Sequence, residues 1–207
     1  MLNVESLACQ RGGRWLFRDL AFTLNPGQLL HIQGANGSGK TSLLRMLAGL
    51  SSLDDGAICW REQSISSARE DYLTEMLYLG HAPAVKDDLS VRENLTVSCR
   101  LAGLQPDAKV VRAALETVGL NGRLHLPARV LSQGQRRRLA LARLCLDKRP
   151  LWILDEPFTA LDVHATQWLE MQLEAHLAEG GLVILTTHQT PRVAEQRLHI
   201  LSIEAGR

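Results

Sequence analysis

Apolar residues recur along this chain in two rhythms. Short runs stand at Leu2 to Leu7, Ala21 to Leu24, Leu29 to Ile32, Ala57 to Trp60, Met76 to Leu79, Leu151 to Leu154, Leu182 to Leu185 and Leu198 to Ile203. Their length predicts strands. The unbroken runs at Leu151 and Leu182 suit parallel strands buried on both faces. Helical spacing separates them. Leu43, Leu44, Leu47 and Leu50 predict a helix with Gly49 as its stop, and Val110, Val111, Ala114, Leu115 and Val118 predict another that stops at Gly119. Ser90-x-x-Glu93 reads as a capping box that starts a helix near Val91 and lets it run to about Gly103. Asp162 is placed to cap a helix through Leu177, closed by Gly180-Gly181, and Thr190-Pro191 reads as the opening of a short helix. Turns are expected at Arg11-Gly12-Gly13-Arg14, Asn25-Pro26-Gly27 and Asp54-Asp55-Gly56. Residues 61–76 are polar and give no assignable pattern. Strand signals are absent across residues 84–130, which predicts a mostly helical insertion, about 84–145, within a single α/β domain spanning 1–207.

Composition narrows the class. A chain of 207 residues with 45% apolar content buries a real core. The net charge of +1 gives no support for a basic nucleic-acid face or a polybasic membrane anchor. Cys9, Cys59, Cys99 and Cys145 form no C-x-x-C pair, so they read as buried or idle thiols in a reducing compartment, not as a zinc site. The amino terminus lacks the charged and apolar regions of a signal peptide, and no apolar run approaches the roughly 18 residues of a membrane span. A cytoplasmic protein is expected.

The chemistry concentrates at Gly34-Ala35-Asn36-Gly37-Ser38-Gly39-Lys40-Thr41, which fits the phosphate-loop pattern G-x-x-x-x-G-K-S/T at every fixed position. A strand precedes it and a helix follows. Glycines let the backbone turn its N–H groups toward phosphate oxygens, and the helix start adds its positive dipole end at Thr41 and Ser42. Lys40 is placed to reach the β- and γ-phosphates, and the Thr41 hydroxyl to bind Mg²⁺. Asp155 and Glu156 end the Leu151 strand, where open α/β sheets bind ligands. Asp155 is a ligand for Mg²⁺, directly or through water. Glu156 is the candidate base that orients or deprotonates an attacking water.

Leu131-Ser132-Gln133-Gly134-Gln135 resembles the L-S-G-G-Q signature of the ATP-binding-cassette (ABC) ATPases, continued by a helix through Arg143. Thr159-Ala160-Leu161-Asp162 resembles the D-loop, and Thr186-Thr187-His188 the switch histidine. Five ordered motifs carry this resemblance over nearly the whole chain. It implies a P-loop NTPase of α/β class, an ABC-type nucleotide-binding domain with a mixed sheet core, a small antiparallel β part and a helical subdomain. It implies ATP hydrolysis with Mg²⁺ by two such subunits packed head to tail. Each ATP would lie between the phosphate loop of one and the signature of the other. Ser132, Gln133, Gly134 and Gln135 would approach the γ-phosphate across that interface, His188 would contact it, Glu156 would polarise the water, and Asp162 would link the two sites. Arg136-Arg137-Arg138 reads as a solvated face more readily than as a nucleic-acid patch.

The chain departs from the family pattern in three places. Gln133 stands where the signature has Gly. No adenine-stacking aromatic stands near Arg11, so Arg11 as a guanidinium or Trp15 as a ring is left for that role. The position of the family's Q-loop glutamine falls on His81, which either replaces it or is an ordinary loop histidine. Gly80-His81-x-Pro83, the Leu-Ser-x-Gly-Gln-x-Arg-Arg run, Leu151 to Thr159 and Thr186-Thr187-His188-Gln189 resemble one subfamily in particular, the ATP-binding subunits of bacterial cytochrome c biogenesis, often called haem exporters. That resemblance implies integral membrane partner subunits and a peripheral location on the cytoplasmic side of the bacterial inner membrane. ATP hydrolysis would there be coupled to haem export or to release of a haem-loaded chaperone. An exporter ATPase for another small molecule, and a cassette ATPase without membrane partners, are the alternatives. The scattered histidines give no haem-ligand motif, so neither haem nor nucleic acid is expected to bind this subunit.

Overall fold

A computed structural model describes residues 1–204, so the last three positions of the expected 1–207 domain lie outside the described residues. Strand β1 (Leu2–Arg11) and strand β2 (Arg14–Leu24) form an antiparallel hairpin, with Arg11 opposite Arg14 across the expected Gly12-Gly13 turn. Strand β4 (Asp55–Trp60) pairs antiparallel with the other edge of β1, and β5 (Gln63–Ser64) completes a sheet of order β2-β1-β4-β5. The antiparallel strands extend well beyond their apolar runs. One face of such a sheet is wet, so every second residue is polar and a search for continuous apolar stretches finds only the densest part.

The second sheet has the order β6-β7-β8-β3-β9, formed by β3 (Leu29–Gln33), β6 (Met76–Leu79), β7 (Leu151–Asp155), β8 (Leu182–Thr186) and β9 (Leu198–Ser202). Here β3 runs parallel to β8 and β9, and β7 parallel to β8. Every residue of β7 and β8 is buried, as their unbroken apolar runs predict. Helix α1 (Lys40–Leu47) packs on this sheet through Leu43, Leu44, Met46 and Leu47, each fully buried. Burial of such side chains stabilises by about 2 kcal/mol each, so this face anchors the helix. Gly49 closes it, with Leu50 N–H reaching back to the Arg45 carbonyl at 2.8 Å.

Three local expectations are corrected. Residues 61–76, unreadable as a pattern, contain β5 and helix α2 (Arg69–Glu75), whose one buried residue is Tyr72. A helix that buries a single side chain leaves no periodic signal. The turn expected at Asp54 to Gly56 is shorter, because β4 already begins at Asp55. Thr190-Pro191 opens no helix. The segment is tied instead by Ala194 N–H to Glu174 Oε2 at 3.2 Å and ends in a single 3₁₀ turn, Glu195–Arg197.

The chain packs as two compact units. The first comprises Met1–Tyr78, Arg149–Glu156 and the chain from Leu173 onward, and the second Leu79–Lys148 with Pro157–Gln172. The second unit contains α3 (Val91–Leu101), α4 (Ala108–Thr117), α5 (Gln133–Leu141) and the first part of α6 (Val163–Ala178). Its core is helical, with Val91, Leu95 and Cys99 of α3 buried, along with Val111 and Leu115 of α4 and Leu139 of α5. The capping box at α3 forms as read: Ser90 Oγ accepts from Glu93 N–H, and Glu93 accepts from Ser90 N–H at 2.8 Å. Among the described residues no helix is long and apolar enough to cross a membrane.

Candidate active site

The phosphate loop leaves the buried strand β3 and enters α1 without a side-chain cap on the helix, so the helix presents its first N–H groups and its dipole outward. Gly34 is the position where only glycine fits. Its φ is +153°, and a Cβ there would come within 2.5 Å of Ser38 Oγ and 2.6 Å of the Ile203 carbonyl oxygen. Ala35, Asn36 and Gly37 are exposed, whereas Ser38 is buried, with its N–H donated to the Ala35 carbonyl at 3.1 Å. Gly39 lies against β2, where a Cβ would meet Leu16 Cβ at 3.0 Å. The Lys40 ammonium folds over the loop and donates to the carbonyls of Gly34 at 2.8 Å and Ala35 at 3.1 Å. Ser42 turns its hydroxyl toward the thiol of Cys9, a buried cysteine whose pKa is raised chiefly by desolvation.

The carboxylates stand at the end of β7 in the same unit. The Thr41 hydroxyl donates to Asp155 Oδ2 at 3.1 Å, and the Thr186 hydroxyl donates to Asp155 Oδ1 at 2.7 Å. Asp155 is 2% exposed. A hydroxyl and a carboxylate side by side at the head of a phosphate-binding helix are hard oxygen donors of the kind Mg²⁺ takes, with substrate phosphates and water completing its octahedron. The Tyr78 hydroxyl is pushed to a higher pKa, first by burial and next by the negative charge of Asp155. Glu156 follows with φ +50°, a strained conformation for a residue with a side chain. Its N–H donates to the carbonyl and hydroxyl oxygens of Thr186, at 3.1 Å and 3.0 Å. Its Oε1 lies 3.6 Å from His188 Nε2, with Glu156 12% and His188 71% exposed. The strand end thus aims one carboxylate at Thr41 and turns the next toward the imidazole.

Thr186 has no role in the sequence reading beyond its place in a motif. The signal was present, since a fully buried strand ended in a hydroxyl residue beside a strand ended by two carboxylates. Only the register, Asp155 opposite Thr186, makes them neighbours.

The second unit holds the remaining candidates. Ser132 caps α5 in a reciprocal box, with Gln135 N–H donating to Ser132 Oγ at 3.3 Å and Ser132 N–H to Gln135 Oε1 at 3.0 Å. Ser132 and Gln133 are exposed. Gly134 has a packing reason to be glycine, because a Cβ would approach the Ala160 carbonyl to 2.6 Å. Asp162 caps α6 by accepting from Ala165 N–H at 2.8 Å. A cleft of about 270 Å³ is lined by His81, Pro83, Gln133 and Thr159 among others. The three arginines are not a solvated face. Arg136 pairs with Asp87 at 2.5 Å, Arg137 is 5% exposed and donates to the carbonyls of Gly80 and His81, and Arg138 donates to the Val118 carbonyl. Sequence shows three adjacent charges, whereas the fold gives each guanidinium its own acceptor.

For the adenine position, Arg11 is tied to Asp54 at 2.9 Å. Trp15 is half-buried, with the Arg18 guanidinium 4.0 Å from its ring centroid.

Comparison with known proteins bears on the family and the fold. The ABC transporter family model matches residues 17–159. The cytochrome c biogenesis ATP-binding export protein CcmA of Nitrosomonas europaea is 53% identical over 201 residues, 97% of this chain and 94% of that protein. The protein of the same name from Methylococcus capsulatus is 54% identical over 187 residues, 90% of each chain. Among solved structures, one described as the ATP binding subunit of an ABC transporter superposes with a TM-score of 0.84 at 25% identity, covering 98% of this chain and 88% of that one.

Proposed function

Because the chain belongs to the ABC transporter family, as an ATP-hydrolysing subunit, we propose that it drives a membrane complex of cytochrome c biogenesis from the cytoplasmic side of the bacterial inner membrane. The observation that carries the catalytic half of this reading is the grouping in one unit of the phosphate loop, Thr41 on Asp155, and Glu156 facing His188. The names of the relatives support the export and cytochrome c part.

In this reading the backbone N–H groups of residues 34–42 and the Lys40 ammonium bind the ATP phosphates. Thr41 and Asp155 would hold Mg²⁺, which would supply positive charge to offset that of the phosphates. Glu156 takes the proton of the attacking water as its oxygen bonds to the γ-phosphorus and the bond from that phosphorus to the bridging oxygen breaks, so that ADP leaves and inorganic phosphate forms; His188 donates to the γ-phosphate. Trp15 stacks on adenine, since Arg11 is engaged by Asp54. The other half of each site comes from a second copy of this chain, packed head to tail. Its Ser132, Gln133, Gly134 and Gln135 meet the γ-phosphate and its Asp162 joins the two sites, while His81 stands at the position of the family's Q-loop glutamine. ATP then holds the dimer closed and hydrolysis lets it open, which moves the integral membrane subunits.

Glu156→Gln tests the core of this reading. It keeps ATP binding and loses on the order of 10²–10⁴ in turnover. Near-normal hydrolysis by the purified variant would remove Glu156 from the role of base.

A further inference from the structure

Strand β3 reads Leu-Leu-His-Ile-Gln, and its one buried polar residue, His31, is 2% exposed and has no part in the chemistry described above. A polar ring in such a place costs several kcal/mol unless both nitrogens are satisfied. They are. His31 Nε2 lies 3.0 Å from the carbonyl oxygen of Thr187, and Nδ1 lies 3.2 Å from the amide nitrogen of Gln33. A carbonyl only accepts, so Nε2 carries the proton. The amide N–H then donates to the lone pair of Nδ1, and the ring is neutral and locked in one tautomer.

The position of that carbonyl gives the ring a task. The ladder between β3 and β8 ends at Ile32 opposite Thr186, and Thr187 lies one residue past it. His31 therefore extends the hold of β3 on β8 by one residue, to the peptide that carries His188. Thr187 is 7% exposed and the His188 side chain 71% exposed, so the anchored and the projecting parts of the switch meet at this bond. At the other end, Gln33 immediately precedes Gly34 of the phosphate loop.

We propose that His31, oriented by Gln33, is a positioning residue for the switch: it ties the root of the phosphate loop to the Thr187 carbonyl and thereby sets the His188 imidazole against Glu156. This rests on the ATPase reading, but its tests separate from it. In the full-length chain, His31→Leu lowers kcat about 10- to 100-fold while the Kd for ATP changes less than about twofold, because a misplaced group near the chemistry costs rate rather than binding. His31→Gln, which keeps an N–H for the carbonyl, recovers most of that loss. In a His188→Ala background, His31→Leu adds less than about twofold, since it acts through His188. An equal loss in both backgrounds, or a parallel rise in the ATP Kd, overturns the proposal. Should His31→Leu fail to fold, Gln33→Met lowers kcat about threefold in the same direction, and wild-type turnover in Gln33→Met overturns the proposal instead. Independently of turnover, the ring ¹⁵N spectrum of His31 at neutral pH shows a protonated Nε2 and a bare Nδ1. A protonated Nδ1 overturns the proposal even if Glu156→Gln behaves as expected.

Discussion

In the first unit Thr41 reaches Asp155 across 114 residues of sequence, His31 reaches Thr187 across 156 and Thr186 reaches Asp155 across 31. In the second unit Ser132 bonds to Gln135 and Asp162 to Ala165, each three residues away. The long-range bonds gather groups from α1, β3, β7 and the end of β8, and they hold the Asp155 carboxylate from two sides. The short-range bonds finish a helix end with its own residues and leave Ser132 and Gln133 exposed. A cluster that performs chemistry on a water and a metal has to be held within a fraction of an ångström by its surroundings. A helix end that meets a ligand from outside only has to be well capped and presented. The contrast is what the proposed two-copy site needs, one half to carry out the reaction and the other to complete it.

Disturbing each half in turn tests the contrast. After Glu156→Gln, the largest effect is expected from Ser132→Arg, which lowers turnover about 10²-fold or more while a single copy still binds ATP through its own phosphate loop. Mixing that variant with Lys40→Ala restores part of the activity, because the mixed dimer has one intact composite site. Photo-crosslinked ATP that never labels Ser132 of the other copy would refute the division into halves. Next comes Thr186→Val, which removes the hydroxyl that Asp155 and Glu156 share. Turnover falls about tenfold, and denaturant unfolding shows a loss of about 2 kcal/mol, because a buried carboxylate loses a donor. An unchanged rate would mean that Thr186 serves packing alone.

Trp15→Ala weakens ATP binding about fivefold, the effect of losing roughly 1 kcal/mol of stacking. Quenching of its fluorescence by ATP would report the same contact, and an unaltered affinity would return the role to Arg11. The smallest effect belongs to Ser90→Ala in the second unit, which costs about 1 kcal/mol of stability through loss of the α3 cap and leaves turnover intact. The bonds from Ser90 to the Glu93 carboxyl are a separate part of the box and depend on pH. The carboxyl of Glu93 is held below its ordinary pKa by bonds from the hydroxyl and then the N–H of Ser90. The stabilisation is thus fully present above the unfolded-chain pKa and is lost as pH falls through the lower folded value, so the gap between variant and wild type narrows in acid.

What could be read in the sequence is what is encoded within a few residues. The phosphate loop, the box Ser90-x-x-Glu93, the signature run from Leu131 to Gln135, the Asp162 cap and the buried runs of β7 and β8 all depend on short local spacings. Their geometry follows from backbone hydrogen bonding that any context leaves intact. The motif set then identifies the family, because five such local signatures in one order leave little else. The tertiary structure alone decided the rest. Arg136, Arg137 and Arg138 look alike in sequence, and only packing gives them separate acceptors. Thr186 becomes a partner of the Asp155 carboxylate and the Glu156 N–H only through the β7–β8 register, and His31 becomes a bracket only because β3 and β8 run side by side. Which groups meet is set by strand register and burial, and a polar residue on a strand shows neither until the sheet is assembled.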